Sequence, residues 1–190
     1  MALNIDIKEE QAKSQKIMAE QGLRVLVCAG TGCVANGSLK VIEKFKELGA
    51  DVSTLTEYDK MTIVPTGCHG FCEMGPLLRI EPMGWLYTKV KVEDCEDILE
   101  QSILNNEVVD RLVYRDANGV AYPKQEEIPF YKQQTRVALE HCGHINAESI
   151  EEYIAVGGYS AVEKCLFEMT SEDIVKEISE AGLRGRGGGG

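Results

Sequence analysis

The sequence predicts an α/β fold for the first half of the chain, and three observations support that prediction. An apolar run at 23–27 has the length and composition of a buried strand, and the pattern of an amphipathic helix follows over 38–49. Two further strand patterns, at 77–81 and 85–90, flank the turn at 81–84. A strand–helix–strand start implies a parallel pair of strands, and the later hairpin adds antiparallel strands.

Further elements complete this unit. Residues 6–20 have the polar pattern of a surface helix that precedes the first strand. Short strands at 51–56 and 62–65 follow the amphipathic helix. A last helix, which ends near residue 105, places one set of side chains on a common face: Cys95, Ile98, Leu99 and Ser102.

The character of the chain changes from about residue 106. A hairpin is predicted at 111–122, and a linker at 123–129 leads into short helices. Three pairs of residues predict helix starts of the capping-box type: Ser149 with Glu152, Ser160 with Glu163, and Thr170 with Asp173. The sequence therefore divides into an N-terminal helix (1–21), an α/β domain (22–105), a hairpin and linker (106–127) and a helical segment (128–190).

The composition excludes several classes of protein. The net charge is −11, with 20 Lys and Arg against 31 Asp and Glu, so the surface repels nucleic acid phosphates. No apolar run reaches the roughly 18 residues of a membrane span, and the N-terminus lacks the pattern of a secretory signal. We therefore expect a cytoplasmic protein, in which seven cysteines indicate metal binding or catalysis instead of disulfides.

Four cysteines form two close pairs and are the leading candidate site. Cys28 and Cys33 have C-x4-C spacing, Cys68 and Cys72 have C-x3-C spacing, and 34 residues separate the pairs. Both pairs follow predicted strands in glycine-containing loops, so loops at one end of the sheet could bring them together. Thiolates bind soft metals, and a [2Fe-2S] cluster takes two thiolates on each iron. Glycines let the backbone approach such a cluster and direct N–H groups at its sulfurs.

Two alternatives fit the spacing less well. Zinc ribbons typically use C-x2-C pairs, and a redox-active dithiol requires C-x-x-C at a helix N-terminus. His69 lies inside the second pair and is interpreted as a loop residue, because four thiols are already present. Cys95 and Cys165 lie on apolar helix faces and are interpreted as structural. His141, Cys142 and His144 could bind a metal, but they lack an evident fourth ligand nearby and are interpreted as a loop before a helix.

The cysteine motifs carry a family resemblance. The pattern Cys28-x4-Cys33, followed by Cys68-His-Gly-Phe-Cys72 and then Gly75-Pro, resembles the thioredoxin-like 2Fe-2S ferredoxin family, which includes the 24-kDa-type subunit of respiratory complex I. The order of the predicted elements at 22–105 is that of a thioredoxin-like domain. The resemblance implies that the four cysteines are the ligands of a 2Fe-2S cluster.

The glycine-rich end, GLRGRGGGG at 182–190, has three interpretations. It could be a flexible linker, an RNA-binding segment, or a loop whose N–H groups and arginines bind an anion. The acidic net charge argues against RNA. The sequence around it favours the anion-binding loop.

The segment from 128 to 190 resembles the start of the 51-kDa-type flavoprotein subunit of complex I and of the beta subunit of NAD-linked iron hydrogenases, which are often electron-bifurcating. The resemblance implies that one set of residues contacts FMN: Arg184, Gly185, Arg186, Gly187, Gly188 and Gly190. The FMN site is incomplete here, and the NAD(H)-binding region and a 4Fe-4S site are expected in a missing remainder. By this resemblance the sequence is an N-terminal fragment that does not oxidise NADH by itself.

These resemblances predict a function for the whole protein. It is an electron-transfer subunit of an NAD(P)H-linked oxidoreductase, which passes electrons between NADH or NADPH, FMN and iron–sulfur clusters. Its expected partners are further iron–sulfur subunits, such as the catalytic subunit of a hydrogenase. Two alternatives stay open: a free-standing 2Fe-2S ferredoxin without catalysis, and a structural domain stabilised by zinc.

Overall fold

A computed structural model describes residues 6–49 and 61–185 of the chain. Its main sheet has four strands: β1 (Leu23–Cys28), β2 (Met61–Thr66), β3 (Leu78–Glu81) and β4 (Trp85–Tyr87). Their order is β2-β1-β3-β4, in which β1 pairs parallel with β2 and antiparallel with β3, and β3 pairs antiparallel with β4. This mixed sheet confirms the predicted α/β fold. The strand predicted at 51–56 lies outside the described residues.

Eight helices accompany the sheet in the described ranges. They are α1 (Ile7–Ala19), α2 (Thr31–Ala35), α3 (Ser38–Gly49), α4 (Cys95–Asp97, continued as a π-helix over Ile98–Leu104), α5 (Pro129–Lys132), α6 (Ile150–Ala155), α7 (Ser160–Phe167) and α8 (Ser171–Glu180). None of the described helices is long and apolar enough to cross a membrane.

The core lies between the sheet and its helices. β1 is central, and all six of its residues are buried, which explains its uninterrupted apolar pattern. The apolar face of α3 buries Val41, Ile42 and Phe45 against it. On the last strand the Tyr87 hydroxyl lies 2.6 Å from Ser102 Oγ and joins the closing helix to the sheet.

The predicted hairpin at 111–122 is present as two short strands, β5 (Tyr114–Arg115) and β6 (Ala121–Tyr122). The predicted linker at 123–129 packs against the sheet. The Leu86 N–H donates to the Pro123 carbonyl at 2.8 Å, and Ile128 is completely buried. A buried apolar side chain anchors this segment, a feature that its Pro-containing, charged sequence does not reveal.

The structure confirms two of the three predicted helix starts. Thr170 and Asp173 form a capping box, and the Ser149 hydroxyl accepts a hydrogen bond from the Glu152 N–H. The start predicted at Ser160 is wrong as a cap, because Ser160 is the first helical residue and its hydroxyl donates to the Gly157 carbonyl at 2.8 Å.

The helical segment after residue 128 packs on the first part of the chain. Glu152 on α6 forms an ion pair with Arg24 on β1 at 2.7 Å, and their side chains are only 7% and 5% exposed. The same carboxylate accepts the Asn146 N–H at 2.8 Å, so it faces the sheet and leaves the capping box incomplete. Gln15 on α1 donates to the Ala155 carbonyl at 3.0 Å. The N-terminal helix therefore packs against α6.

Candidate metal centre

The sheet topology brings the two cysteine pairs to one edge. Cys28 is the last residue of β1, and Cys68 follows the end of β2 by two residues. Because β1 and β2 are parallel neighbours, their carboxyl ends lie side by side, with Cys28 paired to Thr66. The segments that carry Cys33 and Cys72 both leave from this edge. The parallel pair that the sequence predicts is thus what assembles the site.

One prediction about this site needs correction. The glycine-containing pattern predicts a loop at Cys33, but this residue lies in the five-residue helix α2, where it is buried. Cys72 begins a short 3-10 helix over Cys72–Met74. A single helical turn has too few residues to show an apolar period, so the glycines around Cys33 dominate the pattern and indicate a loop.

The four thiols face one another across the two segments. The sulfurs of Cys68 and Cys72 lie 3.7 Å apart. A Cβ added at Gly75 would lie 2.6 Å from Cys33 Sγ, and one added at Gly32 would lie 3.7 Å from Cys72 Sγ. The backbone of each segment therefore passes within contact distance of a thiol on the other. The structure brings together all four cysteines that the sequence singles out.

The site has a buried side and an open side. Cys28 and Cys33 are buried, whereas Cys68 and Cys72 are exposed. The buried side rests on an apolar cluster that includes Leu77 and Leu86. A group held by the four sulfurs would be shielded from water on one side and accessible on the other.

The thiols have altered acidity when no metal is bound. Burial raises the pKa of Cys33 to about 12, and the neighbouring Cys28 thiol adds to the effect. A hydrogen bond with Cys68 raises the pKa of Cys72 above its usual value. Cys33 and Cys72 are therefore protonated at neutral pH. Loading of a soft metal would release these protons, because the thiolate is the ligand.

The geometry fits a two-iron cluster better than a zinc ion. A single zinc ion requires four ligands around one point. Among the described residues, no three His, Cys, Asp or Glu side chains converge on such a point. The thiols instead form two pairs, as two irons require. The Gly70 N–H donates to Cys68 Sγ at 3.3 Å, which is the kind of contact that tunes cluster sulfurs.

His69 lies between two of the cysteines but does not face them. Its ring is completely buried, and Nε2 lies 3.0 Å from Thr66 Oγ1. Burial lowers the pKa of His69 to about 3, so the ring is neutral. Gly143, with a positive φ of 86°, packs directly on this ring. This position agrees with its interpretation as a loop residue.

The residues that surround the 68–72 loop are not apparent from the sequence. Phe71 stacks on Phe130 with ring centroids 4.5 Å apart, and Tyr131 meets Phe71 edge-on at 5.6 Å. The Arg136 guanidinium donates to the His69 carbonyl at 3.1 Å. The aromatic pair and the arginine are visible in the sequence at 128–136, but no local spacing connects them with the cysteines.

The other candidate residues that lie in the described ranges do not join this centre. Arg184 and Gly185 are exposed beyond α8. Four further residues of the predicted FMN loop lie outside the described part of the chain: Arg186, Gly187, Gly188 and Gly190. His141, Cys142 and His144 form no metal-binding group in the described ranges. Cys95 is buried in the core, as expected.

We expect Gly30→Ala to impair cluster loading while Gly67→Ala has little effect. Both backbones accept alanine, since Gly30 has φ −65° and Gly67 is not among the positive-φ glycines. A Cβ at Gly30 would lie 2.9 Å from Cys68 Cβ and 3.2 Å from Cys68 Cα, whereas a Cβ at Gly67 meets nothing within 4 Å. Bound iron after anaerobic reconstitution checks this; equal loading of the two variants would contradict it.

Comparison with known proteins places this site in a family. Residues 16–102 match a model of the family described as thioredoxin-like [2Fe-2S] ferredoxin. A 2Fe-2S ferredoxin of Clostridium pasteurianum is 34% identical over 80 residues, which are 42% of this chain and 76% of that protein.

Two longer proteins also match. The NADP-reducing hydrogenase subunit HndC of Solidesulfovibrio fructosivorans is 48% identical over 59 residues, which are 31% of this chain and 12% of HndC. A subunit of the NADH-quinone oxidoreductase of Buchnera aphidicola subsp. Baizongia pistaciae is 51% identical over 41 residues, 22% of this chain and 9% of that subunit. The chain thus spans a small part of these oxidoreductase subunits. Its fold, its cysteine pairs and its match to a family member over three quarters of that member's length agree: the chain belongs to the thioredoxin-like [2Fe-2S] ferredoxin family.

Proposed function

We propose that this protein holds a [2Fe-2S] cluster on Cys28, Cys33, Cys68 and Cys72 and serves as a one-electron station in an NAD(P)-linked oxidoreductase. The observation that supports this most strongly is the meeting of the two cysteine pairs at the carboxyl ends of β1 and β2. When bound, such a cluster accepts and donates one electron at a time. The 22–105 unit would be the cluster domain.

The residues of the chain have distinct tasks in this proposal. Cys28 and Cys33 would hold the buried side of the cluster, and Leu77 and Leu86 beneath them exclude water. Cys68 and Cys72 would hold the exposed side, which leaves a short path to a redox partner. The Gly70 N–H would stabilise negative charge on Cys68 Sγ.

The finer assignment concerns the segment after residue 128. We propose that it begins an FMN- and NAD(P)H-binding unit, in which Arg184, Gly185 and the glycine-rich residues that follow contact the flavin phosphate. The similarity to HndC and to the NADH-quinone oxidoreductase of Buchnera aphidicola supports this assignment. A flavin there would convert the two-electron hydride of NADH or NADPH into single electrons for clusters. Further iron–sulfur subunits, including one with 4Fe-4S clusters, would be the partners.

A free-standing electron carrier is the second candidate. The similarity to the clostridial ferredoxin, which this chain covers over 76% of its length, favours it. A carrier of that kind requires little beyond the matched residues 16–102. The buried Arg24–Glu152 pair argues for the larger unit, because it binds a later segment into the ferredoxin fold.

A redox titration tests the proposed function. We expect the anaerobically reconstituted protein to take up about one electron per chain from dithionite and to release it reversibly on reoxidation. Uptake of two electrons, or none, would contradict the proposal. To separate the two candidates, the protein can be immunoprecipitated from its host. If the protein belongs to an oxidoreductase, the immunoprecipitate should reduce viologen with NADPH or NADH. If it is a free-standing carrier, the immunoprecipitate should show no such activity.

A further inference from the structure

Arg136 lies directly beside the loop that carries two of the cysteines. Its Nη2 donates to the His69 carbonyl at 3.1 Å. The same nitrogen would lie 3.2 Å from a Cβ added at Gly70, so it touches the backbone of the 68–72 loop. Its guanidinium also sits 5.7 Å from the centre of the Tyr131 ring. These contacts fix the arginine against the candidate metal centre.

Within residues 6–49 and 61–185, no ion pair neutralises the positive charge of Arg136. No carboxylate in these ranges lies within 4.0 Å of its nitrogens, and its Nε is buried without a hydrogen-bond partner. It lines a cavity of about 550 Å³ together with His144 and four charged groups: Arg79, Lys132, Glu126 and Glu140. In a chain of net charge −11, a cation hydrogen-bonded to the loop that carries Cys68 and Cys72 is a specific feature.

Arg136 comes from outside the part of the chain that matches the family. The matched region ends at residue 102, and the arginine lies 34 residues beyond it. Its segment is held in place by the buried Ile128 on one side and, on the other, by the bridge between Asn146 and Thr66. The segment that follows the matched region therefore places a positive charge beside the 68–72 loop.

We propose that Arg136 is a positioning residue that orders the 68–72 loop and raises the reduction potential of the cluster; this inference rests on the proposed function. Reduction adds one negative charge to the cluster, and a nearby cation stabilises that charge. By binding the His69 carbonyl, Arg136 also holds the next residue, Gly70, whose N–H donates to Cys68 Sγ. Hydrogen bonds to a ligand sulfur also stabilise the reduced state of the cluster.

The test compares Arg136→Met, which removes the charge and the donor, with Arg136→Lys, which keeps the charge. At a fixed potential we expect the Met variant to show a roughly tenfold lower ratio of reduced to oxidised cluster, equivalent to about 59 mV for one electron. In the Lys variant this ratio should stay within about threefold of the wild-type value. Lys176→Met, which removes the same charge on the exposed helix α8, should leave the ratio unchanged.

Cluster content is measured in every variant, so that loss of the cluster is not mistaken for a change in potential. An unchanged ratio of reduced to oxidised cluster in a fully loaded Met variant would overturn the inference. A ratio in the Lys variant as low as that in the Met variant would overturn it as well. If Arg136→Met does not fold, Arg136→Gln removes the charge but keeps an N–H donor, and a lower ratio of reduced to oxidised cluster is still expected from the lost charge. A wild-type protein that binds no cluster would refute the proposed function itself, which distinguishes the two failures.

A second measurement uses the metal-free protein. Loss of a hydrogen bond from a charged donor should loosen the 68–72 loop. We expect amide hydrogen exchange at Gly70 to become about tenfold faster in Arg136→Met, while exchange on β1 stays unchanged. Unchanged exchange at Gly70 would overturn the positioning role.

Discussion

Replacing Cys72 by alanine is expected to lower the bound iron by at least about tenfold, because loss of even a supporting contact to a metal ligand costs about 10- to 100-fold in affinity. Cys72 is the informative choice among the four cysteines, since its side chain is exposed. Its truncation removes a proposed ligand without opening a cavity in the core. Circular dichroism of the metal-free variant should match wild type, while iron content and visible absorbance after reconstitution fall.

Cys165→Ala is the matched control for this change. Cys165 lies on α7, is partly exposed and belongs to neither cysteine pair. Its variant should load iron as wild type does. Full iron content in Cys72→Ala, or equal loss in both variants, would contradict the assignment of the ligands.

We expect Glu152→Ala to lower the free energy of unfolding by about 3 kcal/mol, the lower end of the range for breaking a buried ion pair. The Arg24–Glu152 pair is almost completely buried, so the change leaves a guanidinium without its main partner. Arg24 retains Glu81 at 3.6 Å, which limits the loss. The Asn146 N–H loses its acceptor as well. Urea unfolding of the metal-free protein measures the change.

The control for this prediction is Glu9→Ala. Glu9 pairs with Lys13 at 2.8 Å on α1, but both side chains are more than half exposed. Solvent screens such a pair, so its loss should leave the midpoint of unfolding within experimental error. A Glu152→Ala variant as stable as the Glu9→Ala variant would show that the later segment is not anchored through this pair.

Much of the fold could be predicted because it depends on local patterns. The apolar run of β1, the amphipathic period of α3 and the turn between β3 and β4 each lie within a short stretch of sequence. The meeting of the four cysteines could also be predicted, since the cysteine pairs follow two strands whose parallel pairing puts them at one edge.

The surroundings of the metal centre could not be predicted, because they depend on contacts between distant parts of the chain. Arg136 and His69 are 67 positions apart, and Glu152 and Arg24 are 128 positions apart. An arginine in a polar segment or a glutamate in a capping pattern resembles an ordinary surface residue. Only the packing of 128–155 on the first sheet gives these side chains their partners and buries the Arg24–Glu152 pair.

Metal and sulfide analysis of protein purified without oxygen shows directly whether the four cysteines hold a two-iron cluster. We expect about two irons and two acid-labile sulfides per chain, with visible absorbance that bleaches on reduction. A colourless protein that contains one zinc ion per chain and no sulfide would contradict it.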